Sequence, residues 1–323
     1  MRLFCLAFPL VALAIAACHR ETPPVARTTS LETIDLMPLY WAFDRRVAGE
    51  PMDEQVRLFR ELVVERRPEV YNATVLGTPG GQPLESLLPG IYPQAAAAAA
   101  KHRPVMQALS REIADSLPRH VASFRREFPD FAFEGPVYFL YSLGAFDGAE
   151  RQVQGRTALL FGVDVIAAIH GRGASVAPLF HHELFHVYHT RGQGGSGRPL
   201  IQSLWAEGLA TLVARRLNPS ASDAAIFGLP PNTPERVLRQ LPALAAHMRA
   251  RLDSTSQQDY AELFPGNEPD APLPRRGGSV VGYLVARRLQ QGGRSLRELA
   301  QLEGPALRRS VEDAVAAPDR LRR

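Results

Sequence analysis

Apolar positions in this chain recur mostly at helical spacing. The 36–46, 52–67 and 95–128 segments repeat them every three or four residues and predict helices, with Pro104 and Pro118 expected to break the last. Between them, the Gly/Pro-rich piece 77–93 reads as a loop. The pattern then changes. Residues 137–141 and 157–169 are β-branched and apolar, with Gly144, Gly148 and Gly155 around them, and predict strands of a small sheet.

Helical spacing returns at 179–188, with Pro178 near the start and Gly192 just past the end. A Gly/Ser-rich turn over 192–197 leads to Pro199, which opens a helix over 200–217 that Asn218-Pro219 stops. The remainder is helical apart from a Pro/Gly-rich loop at 264–278, with a further helix at 279–290. The fold class expected is α+β, mainly helical, with a small sheet next to the 179–188 helix. The expected divisions are 1–17, 18–30, 31–130, 131–218 and 219–323.

That helix carries His182-Glu183-Leu184-Phe185-His186, an HExxH pattern. Residues four apart share one helix face, so His182 and His186 can offer two imidazole nitrogens to one tetrahedral Zn²⁺. Glu183 stands beside the metal, where a carboxylate can take a proton from zinc-bound water. Glu207 lies in the next helix among Leu204, Trp205, Leu209 and Leu212, and a carboxylate in such surroundings needs a partner. Zinc is one such partner; an ion pair with Arg198 or a solvent-facing position is the alternative. Gly208 weakens its helix but would let a neighbour approach closely, and the HExxH helix is the neighbour expected.

The blocks His181 to His189 and Leu204 to Ala210 resemble a gluzincin-type zinc metallopeptidase, most of all a bacterial family of predicted zinc-dependent proteases with H-E-L-F-H and W-x-E-G-L-A motifs. The resemblance is strongest over 178–215. It implies a zincin-like core, His182, His186 and Glu207 as ligands, Glu183 as general base, and a peptide or protein substrate beside a strand that borders the cleft. Thr211 stands where a thermolysin-like extension would have Asp. His189 and Gly192 stand where metzincins have Gly and His, which excludes that class. For the oxyanion the resemblance points to Tyr283, after Gly282. A packed core tyrosine is the alternative there, and His189 and Tyr188 are further candidates. His189 is otherwise a helix-end residue, His181 a capping or surface residue, and His170 a residue that could reach the site from a strand end.

The N-terminus adds a second signal. Arg2, the apolar run 3–14 and Ile15-Ala16-Ala17-Cys18 resemble a bacterial lipoprotein signal peptide cut before Cys18. Cys5 would leave with the signal, so Cys18 would be the lipidation site rather than half of a disulfide. Acyl chains would hold the protein at the membrane, with residues 21–30 as a polar tether. The expected location is the bacterial cell envelope, with His19 after the cysteine favouring an outer-membrane lipoprotein that faces the periplasm.

Charge changes little. The formal net charge is +4, and Lys101 is the only lysine among 37 basic residues. No basic stripe interleaves with aromatics, so nucleic acid is not an expected partner. A peptidase is the leading expectation; a non-catalytic zincin-like lipoprotein that binds partners or assembles the envelope, and a hydrolase of non-peptide substrates, stay open.

Overall fold

The computed structural model describes residues 31–189, 197–228, 233–264, 273–274 and 276–321. Cys18, the tether, Gly192 and most of the expected 264–278 loop lie outside the described residues. The described part is mainly helical with one four-stranded mixed sheet, as the α+β expectation has it. Among the described residues no helix is long and apolar enough to cross a membrane.

The sheet order is β1-β2-β4-β3. Strand β1 (Glu32–Asp35) pairs parallel with β2 (Pro136–Leu140), β2 parallel with β4 (Arg156–Gly162), and β4 antiparallel with β3 (Gly148–Val153). Neither β1 nor β3 is expected from the sequence. The four residues of β1 are too few to show a period, and β3 mixes Glu150, Arg151 and Gln152 into its alternation. The hairpin β3–β4 turns at Gln154 (φ 50°) and Gly155 (φ 74°), the left-handed pair that matches strand twist.

Two expectations are corrected here. The apolar run 157–169 is not one strand: β4 ends at Gly162 and helix α5 (Val163–His170) follows. At Gly162 a Cβ would lie 1.9 Å from the carbonyl oxygen of Phe146, so the chain bends where only glycine fits. Beyond it, buried Asp164 accepts the amides of Ser142 and Gly144 at 2.8 Å each, which fixes the start of α5. The second correction concerns proline. Helices α1 (Met37–Arg46), α2 (Met52–Phe59, continued by a π turn over Arg60–Val64) and α3 (Ala73–Leu76) precede one 44-residue helix, α4 (Leu84–Glu127), which contains Pro89, Pro93, Pro104 and Pro118 and takes in 84–93 of the piece expected as a loop. Each interior proline costs about 3 kcal/mol. A buried stripe through Leu88, Tyr92, Ala99, Met106, Leu109, Ile113, Leu117 and Phe124, spaced by three, four or seven, offsets it by tertiary packing.

Helix α6 (Ala177–Tyr188) has proline in its first turn, and α7 (Leu200–Leu217) runs from Pro199 to Asn218, as the prolines predict. Rings of Phe139, Phe161 and Phe180 bind β2, β4 and α6 together, with centroids 5.1 and 5.6 Å apart along the chain of contacts. Helix α7 is buried on nearly every side, Leu204 and Leu209 completely. Helices α8 (Asp223–Phe227), α9 (Thr233–Arg249), α10 (Gln257–Leu263), α11 (Gly277–Gln291), α12 (Leu296–Ala300) and α13 (Gly304–Val315) complete the helical part.

The close approach at Gly208 is real, but its partner is α11 rather than α6. A Cβ at Gly208 would sit 2.1 Å from the carbonyl carbon of Gly282, and one at Gly282 would sit 2.1 Å from the oxygen of Leu204. Backbone meets backbone there. The glycine of the Gly282-Tyr283 pair therefore serves the crossing of two helices.

Candidate metal centre

Helix α6 brings His182 and His186 one turn apart, with their Nε2 atoms 2.9 Å from each other. From α7, Glu207 reaches both: Oε2 lies 3.6 Å from His182 Nε2 and Oε1 3.4 Å from His186 Nε2. The three side chains are 16%, 19% and 27% exposed, so the group is half-buried and opens to one side. One donor atom from each lies within 4.8 Å of the others, and the group can hold a metal ion. Metal–ligand bonds of about 2.0–2.1 Å in a tetrahedron put ligand atoms about 3.3 Å apart. The distances found bracket that spacing, and two nitrogens with one oxygen are a donor set such ions accept.

Glu207 is held well below the usual carboxylate range. Burial pushes it up, but the charge of His186 and the hydrogen bonds of His182 and His186 outweigh that, so the carboxylate is anionic, the form that ligates. The expected alternative, a pairing of Glu207 with Arg198, gives way to these histidine contacts. Glu183 lies on the same helix and is pushed up by burial, against which His186 and His182 pull down. Its Oε1 stands 3.0 Å from where a Cβ of Gly148 would be. The Glu183 carboxylate thus packs closely against the first residue of β3.

A cavity of about 470 Å³ opens beside these three side chains. Its walls include Gly148 to Arg151 of β3, Glu183, Thr211, Phe227, Tyr260 and Arg276. His170 is also on the wall; it comes from the end of α5 rather than from a strand, and its buried Nδ1 has no hydrogen-bond partner. Tyr260 of α10 stacks on Phe264, with centroids 5.2 Å apart. Burial first, then the charge of Glu207, raise its phenol, so it stays an O–H donor at neutral pH.

No protein-family model, curated protein or solved structure matches this chain.

The other sequence candidates fall elsewhere. Tyr283 packs edge-on against Phe227 at 5.1 Å, with Arg287 over its ring, and is not among the cavity's lining residues. Tyr188 donates to Asp130 at 3.2 Å. His189 ends α6, stacks on Phe185 and bonds to the backbone of Ala300; burial and the charge of His186 push it down to about 4. His181 is neither a cap nor a surface residue. It is 1% exposed, and Asn218 Nδ2 donates to its Nδ1 at 2.9 Å. Its Nε2 therefore carries the proton and donates to the carbonyl of His120 at 3.0 Å. Three helices, α4, α6 and α7, are clasped behind the ligands by that one neutral ring.

Sequence reasoning missed Gly148, Tyr260 and Arg276 as site residues. Nothing local marks them, since each reaches the cavity from an element separated from the HExxH helix by other structure.

Proposed function

We propose that the protein is a zinc-dependent peptidase with a zincin-like core of the gluzincin type, held at the bacterial cell envelope by acylation of Cys18. One observation carries the reading: a base-competent carboxylate, Glu183, lies next to a half-buried His182-His186-Glu207 group and against the first residue of an edge strand. A group that only held structure together would not need Glu183, nor open onto a cavity.

A zinc ion in this ligand set supplies a Lewis acid that polarises a carbonyl and makes water more acidic. The chain does the rest. Strand β3 is at the sheet's edge and lines the cavity, so an extended peptide can add to it by backbone pairing. Glu183 takes the proton of the attacking water and passes it to the leaving amine. Tyr260 lines the cavity, and we assign it as the donor for the oxyanion that develops on the scissile carbonyl, in the role the resemblance suggested for Tyr283.

The test compares metal content and peptide hydrolysis in wild type, Glu183→Gln and His182→Ala. Glu183→Gln is expected to keep its zinc and lose about 10²–10⁴ in rate, while His182→Ala loses metal and activity together. Full activity in Glu183→Gln removes the assigned base. Zinc bound by wild type with no hydrolysis of a broad peptide library would turn the reading towards a binding role.

A further inference from the structure

One guanidinium on the cavity wall makes a single hydrogen bond among the described residues. Arg276 precedes α11 with a left-handed backbone (φ 49°), a conformation non-glycine residues rarely adopt. Its Nη1 donates to the carbonyl of Phe227 at 3.3 Å, and its Nη2 lies 3.7 Å from Oδ2 of Asp147, beyond hydrogen-bond reach. A guanidinium has five N–H donors in a planar fork, and among the described residues only the one from Nη1 is spent on a hydrogen bond. Room is kept for it: a Cβ at Gly228 would lie 2.6 Å from its Nη1.

The second arginine on the wall is tied to the backbone by two donors. Arg151 donates from Nε to Val75 at 3.3 Å and from Nη1 to Glu150 at 2.9 Å, both to backbone carbonyls, and lies over the Phe146 ring. Glu150 also lines the cavity from β3. Asp147 has one oxygen occupied by the amide of Gly148 at 2.9 Å and offers the other to Arg276 only at ion-pair distance. It keeps the guanidinium aimed without saturating it.

We propose that Arg276 selects substrates by a carboxylate, which takes the place of Asp147 as its partner in a two-bond fork. This rests on the peptidase reading and narrows its substrate class to peptides with an acidic side chain or a terminal carboxylate near the cleaved bond. Arginine and carboxylate match in plane and spacing, whereas the longer Asp147 contact leaves that match unmade.

The experiment uses the full zinc-loaded chain and four peptides of one sequence. They carry Glu or Gln at one position near the cleaved bond, each with a free or an amidated C-terminus. Cleavage is measured on wild type, and binding by calorimetry on Glu183→Gln protein. The peptide with a carboxylate at the position Arg276 reads is expected to lead its neutral twin by about tenfold or more, the low end for close charge pairs. The Glu/Gln and acid/amide arms say which carboxylate it is. Arg276→Gln is expected to bring that ratio to about one, Arg276→Lys to keep part of it, and Asp147→Asn to raise it. Equal treatment of all four peptides by the unsubstituted site overturns the proposal and leaves the peptidase reading standing. So does a preference that survives Arg276→Gln. If wild type cleaves none of them, the broad peptide library decides the peptidase reading, and the binding ratios alone decide for or against Arg276; absence of binding by all four decides against it.

Discussion

Replacing Gly208 with alanine tests how α7 is held in place. On an exposed helix this change stabilises by about 1 kcal/mol. Here the opposite sign is expected. The new Cβ would meet Gly282 at 2.1 Å from its carbonyl carbon, 2.4 Å from its oxygen and 2.5 Å from its Cα. Unbonded carbons rest about 3.5–4.0 Å apart, so the helices must part by roughly 1.5 Å. These are backbone atoms and cannot rotate aside, which puts the cost near the upper end of overpacking, about 3 kcal/mol. Less the propensity gain, about 2 kcal/mol of destabilisation remains. Glu207 is the preceding residue, and ligand positions tolerate only about 0.2 Å, so zinc affinity should fall with stability. Urea unfolding in the presence of chelator measures the first effect free of metal linkage, and competition with a zinc indicator measures the second. Gly90→Ala in α4 is the control: a Cβ there meets nothing within 4 Å, and the variant should be more stable than wild type. If Gly208→Ala matches the Gly90→Ala protein in stability and keeps its zinc affinity, the crossing does not hold Glu207.

Tyr260→Phe is expected to lower kcat by about 10²–10³, as loss of an oxyanion donor does, while Tyr283→Phe lowers it by at most about threefold; equal losses would reject the assignment to Tyr260. Cys18→Ser should leave the membrane fraction or accumulate as uncut precursor, and unchanged fractionation with normal processing would dismiss the anchor. Asp164 is pushed up by burial, more than the amides of Ser142 and Gly144 pull it down. Its folded value stands above its unfolded one, so its contribution is complete below the unfolded value, near 4, and is lost as pH rises through the folded value. The stability of wild type relative to Asp164→Asn should therefore decline with rising pH across the mildly acidic range; a difference that grows with pH would contradict the burial argument.

Legibility in the sequence followed the range of the physics. The triad could be read because two ligands are fixed by the helical period, and because Glu207 sits in a helix too apolar to leave a carboxylate unpaired. Helix ends at Pro178, Pro199 and Asn218 were readable because proline and asparagine act within a turn. The 157–169 run was misread because a short apolar stretch has the same look in a buried strand and a buried helix. Pro104 and Pro118 misled because their cost is local while the stripe that offsets it spans the length of α4. Tyr260 and Arg276 lie far along the chain from His182, and only the packing of α11 on α7 and of α10 on α11 makes them neighbours of the cavity.

The parallel pairing of Thr33 with Val137 joins positions roughly a hundred residues apart. Closing a loop of that length costs about 4 kcal/mol beyond a constant term, and synthesis at about 5–20 residues per second leaves β1 waiting several seconds for its partner. The first strand made thus has no sheet partner until α4 and β2 have followed it. The same topology bears on truncation. A fragment that starts at residue 131 would keep all three ligands and Glu183 but expose the edge of β2 that β1 covers, a fully buried apolar strand. Such an edge invites pairing with other chains. Aggregation of that fragment would then reflect the loss of β1 together with that of α1 to α4.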